Sequence, residues 1–162
     1  MSNAKTRAIA NVKWCQQVLT DLCKDIPQDK LASGIDNHAV WTIGHLAHSA
    51  DFFATLLSSE IKASCPESYK ALFGMGSQPT QDASKYPSMT ELQSAMDRSL
   101  AGFIRAAEMN SEADLDKAPL VESGEFCKTR WEVLDRMSWH TGWHSGQVSL
   151  QRKLLGVKPM WG

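Results

Sequence analysis

The stretch TRWEVLDRMSWHTGWHSGQVSLQRKLLG, Thr129–Gly156, carries the first and strongest structural signal in the chain. Thr129 followed three residues later by Glu132 forms a capping box, and Gly156 suits the position just past a helix end. No proline interrupts the run, so the spacing predicts one helix from Thr129 to about Leu155. Within it His140 and His144 lie one turn apart and share a face, which Met137 and Val148 extend as apolar.

Working outward, three further helices of the same kind are expected. From about Lys5 to Asp25, Ile9, Val12, Cys15, Val18, Leu19 and Leu22 recur at helical spacing, and Pro27 ends the run. A second helix is capped by Asp36 or Asn37, with a buried stripe through Trp41, Gly44 or His45, His48, Phe52 and Leu56. A third starts at Ser88, which forms a capping box with Glu91; it continues through Leu92, Met96, Leu100, Phe103 and Ile104 and ends near Asn110. Between the second and third helices, residues 64–87 carry prolines and Gly74 and Gly76 with no sustained period, and read as a long crossover loop. Residues 111–128 read as irregular, with an extended arm around APLVE. The expected fold is all-α, a single four-helix bundle domain over residues 1–162, its crossover long enough for a non-adjacent topology. No function is placed in Met1 to Ala4.

Composition narrows the partners. Lys plus Arg number 17 and Asp plus Glu 18, a net charge of −1, so there is no general attraction to nucleic acid or anionic lipid. No apolar run approaches the ~20 residues of a membrane span. The opening residues lack the apolar region of a secretory signal, and a cytoplasmic location is expected. Cys15, Cys23, Cys65 and Cys127 are scattered without a Cys-x-x-Cys pair and read as reduced structural thiols.

The five histidines fall in two groups. His140 and His144 belong to the last helix; His38, His45 and His48 belong to the second, with His38 expected in the first turn and solvated. Two imidazoles side by side in an apolar core must each pair a donor and an acceptor, and a shared cation resolves both demands. A histidine pair four apart on a helix also fits a surface pair or a hydrogen-bonded core pair; a second group on a facing helix is what favours a metal. His45, His140 and His144 would supply three neutral nitrogens and leave a position open. His48 is either a fourth ligand or a ring that supports the ligands from behind. Trp41, Trp139 and Trp143 are candidate walls of a substrate pocket. Asp51 and Asp135, expected on solvated faces, offer no evident general base. Gly142 and Gly146 cost the last helix propensity, which close approach of another helix, within or between subunits, would offset.

Two metal patterns are excluded. A metalloprotease helix needs Glu directly after its first His, where Thr141 stands here. Di-iron carboxylate bundles need Glu three residues before His, where Met137 and Thr141 stand.

VWTIGHLAHSADFF together with RWEVLDRMSWHTGWHSGQVSLQRKLLGVKP resembles the DinB/YfiT-like family of metalloenzymes. The resemblance implies an up-down-down-up four-helix bundle, often a homodimer. It implies a divalent ion held by one His of a GHLA-like helix and two of an HxxxHxGQ helix, here His45, His140 and His144; three imidazoles suit zinc, nickel, iron or copper, with zinc or nickel foremost, and the sequence does not choose among them. It further implies chemistry on a low-molecular-weight thiol. Relatives often carry a second His where Trp143 stands and Arg where Ser145 stands, differences that alter the pocket and leave the three ligands in place.

Two functions follow as expectations. One is a metal-dependent enzyme acting on a small molecule, either a thiol transferase or a hydrolase-like enzyme. The other is a non-catalytic bundle that binds a ligand or partner, its metal structural or absent. His48 discriminates, because a structural site is normally closed by a fourth protein ligand.

Overall fold

The structure, a computed structural model, describes residues 3–161; Met1, Ser2 and Gly162, and with them half of the opening Met1 to Ala4, lie outside the described residues. Helix α1 (Ala4–Lys24) begins where the Asn3 side chain accepts from the Thr6 N–H, and buries Ile9, Val12, Gln16, Leu19 and Leu22. Helix α2 (Ala39–Leu57) is capped by neither Asp36 nor Asn37; His38 is the cap, its Nδ1 accepting from the Trp41 N–H. Almost every side of α2 is covered, so no apolar stripe marks its inner face. Phe53 is buried and Phe52 is the exposed neighbour, the reverse of the expected stripe.

The crossover is not a plain loop. Tyr69 and Phe73 recur four apart and anchor a short helix, α3 (Ser68–Phe73), followed by a 3-10 turn at Ala83–Lys85. Phe73 is fully buried, which contributes about 1.5–3 kcal/mol. Helix α4 (Met89–Met109) has the full Ser88–Glu91 capping box and ends at Asn110. No extended arm follows: α5 (Glu112–Leu115) closes a second capping box between Ser111 and Asp114, and the Leu120 N–H makes an isolated bond to the Leu56 carbonyl. Helix α6 (Arg130–Leu154) is capped by Thr129 as expected, but its box is displaced by one residue, because Glu132 accepts from the Lys128 N–H. Gly156 takes the left-handed φ of 70° that ends α6.

Hydrogen bonds between helix ends define the topology. Lys5 Nζ donates to the Asn110 carbonyl (2.7 Å), which sets the start of α1 against the end of α4. Arg152 donates to the Leu22 carbonyl (2.7 Å), so α1 and α6 end together. Gln151 Oε1 accepts from the Ala39 N–H (2.8 Å), which places the start of α2 at the end of α6. Asn110 Nδ2 donates to the Leu57 carbonyl (3.1 Å), so α2 and α4 run parallel. The order is therefore up-down-down-up, with the crossover spanning the two parallel helices. The four cysteines are free, and no helix among the described residues is long and apolar enough to cross a membrane.

Candidate metal centre

Where α2 faces α6, three imidazoles meet. Met137 and Val148 are fully buried, so the face of α6 between them turns inward and carries His140 and His144 with it. His140 Nε2 lies 3.1 Å from His45 Nε2 and 3.1 Å from His144 Nε2, and the three potential ligand atoms all lie within 4.8 Å of one another. Two nitrogens bound to one zinc in tetrahedral geometry are ~3.3 Å apart, given bonds of ~2.0–2.1 Å.

The partners of the outer nitrogens fix where the hydrogens are. The Phe73 carbonyl accepts from His45 Nδ1 at 2.7 Å, and a carbonyl can only accept. Gln147 Oε1 accepts from His144 Nδ1 at 2.7 Å and from Asn37 Nδ2 at 3.3 Å, which keeps the amide oxygen turned to the ring. His45 and His144 thus each point a bare Nε2 lone pair at His140. One hydrogen on His140 Nε2 can serve only one of them, and His140 Nδ1 is buried without a partner. Three converging nitrogens with at most one hydrogen among them form a donor set that fits a cation.

Their electrostatics agree. Burial, then the charges of His144 and His45, push His140 down to about 3. Burial, then the charge of His45, pushes His144 down to about 4. Burial also lowers His45, against the Phe73 hydrogen bond. All three are neutral, and so able to ligate, at pH 7. None of the charges acting on the three rings is a carboxylate.

The remaining sequence candidates separate. Trp41 is buried and stacks on His45 with centroids 4.5 Å apart and planes 10° apart. Trp139 lies over the outer side of His140 at 6.5 Å with half its surface exposed, and Trp143 faces outward and touches Trp139. Phe53, with its ring 6.0 Å from His140, completes the apolar surround. His48 is not among the converging nitrogens; its Nε2 faces Gly74. His38 is fully buried instead of solvated, because the crossover passes over it and Thr80 supplies a carbonyl to its Nε2 at 2.9 Å. Asp51 is buried too, accepting from the N–H groups of Ser64 and Cys65 at 2.9 and 2.7 Å, which leaves it no role at the histidines. Asp135 is exposed as expected. Sequence reasoning missed Phe73 and Gln147 as supports of the rings. Gln147 had a signal, three residues after His144 on adjoining turns; the Phe73 carbonyl had none.

Residues 11–148 match the sequence profile of the DinB superfamily, a span that takes in both histidine groups. The chain belongs to the DinB superfamily. Membership and the three-histidine group together fit a metal-binding protein. The fold of this DinB-superfamily chain is similar to the crystal structure of a conserved protein from Enterococcus faecalis. The TM-score is 0.73 at 14% identity, covering 96% of this chain and 99% of that one, a likeness of fold alone. No curated protein matches the DinB chain in sequence.

Proposed function

We propose that the protein is a metal-dependent enzyme in which His45, His140 and His144 hold one divalent ion, zinc or nickel foremost and iron after them, and that it acts on a small thiol in the cytoplasm. The observation that carries this reading is the convergence of three Nε2 atoms with their outer nitrogens tied to Phe73 and Gln147. An ion bound by neutral imidazoles keeps its full positive charge and lowers the pKa of a thiol or water beside it. His48 stands outside the group, which supports an open position for substrate. Trp41 and Phe53 exclude water from the inner side, and Trp139 offers an apolar surface at the rim to an electrophile. In the transfer, the S–H bond would break and its proton leave to solvent, the sulfur would form a bond to an electrophilic carbon, and that carbon's leaving group would depart with the bonding electron pair and take up a proton from solvent. A hydrolase-like variant places water where the thiol would be.

Gly142 and Gly146 support a homodimer, because among the described residues nothing beyond the helix's own backbone lies within 4 Å of a Cβ built at either position. Together with the exposed Trp139 and Trp143 they make a face that suits the same helix of a second copy.

Elemental analysis of tag-free protein prepared without nickel resin tests the reading, alongside His140→Ala and His144→Ala. One equivalent of metal in the wild type, lost in both variants, is the expected result and justifies assaying thiols against electrophiles. Wild-type protein that neither contains metal nor takes up added zinc or nickel would leave the non-catalytic binding bundle as the better reading.

A further inference from the structure

Helix α2 presents His38, Trp41 and His45 at intervals of three and four, one per turn along one side. The crossover passes them in the opposite direction and makes one polar contact with each. The Phe73 carbonyl accepts from His45 Nδ1 (2.7 Å), Ser77 Oγ accepts from Trp41 Nε1 (3.1 Å), and the Thr80 carbonyl accepts from His38 Nε2 (2.9 Å). Since Trp41 stacks on His45, the same segment holds the His45 ring at its edge directly and on its face through the indole.

Gly44 is what lets the crossover come so close. A Cβ at Gly44 would stand 2.5 Å from Cε1 and Cζ of Phe73, well inside van der Waals contact, and the Phe73 ring is fully buried with no room to retreat. The residue next to the ligand is therefore glycine because the Phe73 ring lies across the helix backbone there, which brings the Phe73 carbonyl to His45.

We propose that residues 73–80 form a strap that fixes the orientation and tautomer of the His45 imidazole, with Gly44 as its seat and Ser77 as its hold on Trp41. The purpose assigned to the strap rests on reading the three histidines as a metal centre, whereas its effect on the ring does not. An acceptor at Nδ1 keeps the hydrogen there and the Nε2 lone pair turned towards His140 and His144. Release of the strap allows the ring to rotate or to carry its hydrogen on Nε2, and either change removes a donor from the centre.

The test uses 15N-labelled full-length protein without metal, as wild type, Gly44→Ala, Ser77→Ala and Leu115→Ala. Leu115 is fully buried on α5, so its variant lowers stability without touching the strap. Long-range 1H–15N imidazole spectra should show His45 as the Nδ1–H tautomer in wild type and Leu115→Ala, and as a tautomer mixture in Gly44→Ala. Zinc affinity, read by competition with a chromogenic chelator, should fall roughly 10-fold or more in Gly44→Ala, the effect expected when a ligand loses its supporting partner. Ser77→Ala, half-buried and tolerant, should fall a few-fold and speed amide exchange over residues 73–80; it carries the test if Gly44→Ala does not fold. A wild-type tautomer and wild-type zinc affinity in the folded strap variants would overturn the proposal. A fixed tautomer that Gly44→Ala or Ser77→Ala disturbs, in a wild type that takes up no zinc, would sustain the strap and sink the metal reading instead.

Discussion

Gln147 reaches the centre only through His144, yet its amide oxygen takes hydrogen bonds from both His144 and Asn37. Replacing it by Leu keeps the volume and removes the acceptor, and zinc affinity is expected to fall roughly 10–100-fold with the far-ultraviolet spectrum unchanged, checked by chelator competition and circular dichroism. Asp51 lies on the same helix as His45 but serves the crossover. Three hydrogen bonds from Ser64 and Cys65 end on its carboxylate, so Asp51→Ala should cost about 2–3 kcal/mol in urea unfolding and leave metal content as it was. At this scale the sequence is legible where side chains carry the chemistry. His140 and His144 announce themselves by sharing a face between Met137 and Val148, and His45 by standing on the neighbouring apolar helix. The supports of those rings are hidden where the partner is a backbone carbonyl. His38 and Asp51 depart from expectation for a related reason: each looks solvated in sequence until the crossover is laid over it.

Among the elements, α4 and α6 are legible almost to the residue because a capping side chain starts each; an amphipathic run follows in α4, and in α6 a run unbroken by proline leads to the terminating Gly156. Helix α2 is harder to place, since a helix covered on nearly every side has no polar face to mark its phase, and Phe52 and Phe53 exchange roles as a result. The six residues of α3 are too few to establish a period, and prolines and glycines around them read as loop. Helix α6 also invites a test of assembly. Gly142 and Gly146 are exposed and uncrowded, so alanine at both positions should raise the stability of the isolated chain by about 1 kcal/mol each through helix propensity. If a second copy packs there, the same double variant should shift the protein from dimer to monomer in size-exclusion chromatography with light scattering. Dimer retained with both alanines would place the interface elsewhere.

For the whole molecule, the depressed histidines, His38 by burial as well as the three of the centre, make stability depend on pH in a definite sense. The unfolded chain takes up protons near the ordinary histidine value of ~6.5, whereas the folded site resists until about 3 for His140 and about 4 for His144. Between those values the unfolded state binds more protons, so metal-free protein should lose stability as the pH falls below ~6.5, by about 1.4 kcal/mol per unit for each such histidine. Urea melts of metal-free protein at pH 7.5, 6 and 5 check the trend, and the His140→Ala variant should show a shallower one. The bundle itself is legible from four helical runs and their connections, and its up-down-down-up order from the family resemblance; no single run of sequence shows the parallel pairs, which Gln151, Arg152 and Asn110 hold by joining helix ends.

His45 and His140 stand 95 residues apart in the chain, with the crossover, α4 and α5 between them. Bringing them together closes a long loop, whose entropic cost falls on the polypeptide before any ligand can profit from it. A chain still emerging from the ribosome, with its last helix unmade, has one of the three imidazoles and no chelate. An ion held by all three therefore could not guide the early collapse; it would arrive last, as a staple across a bundle already assembled.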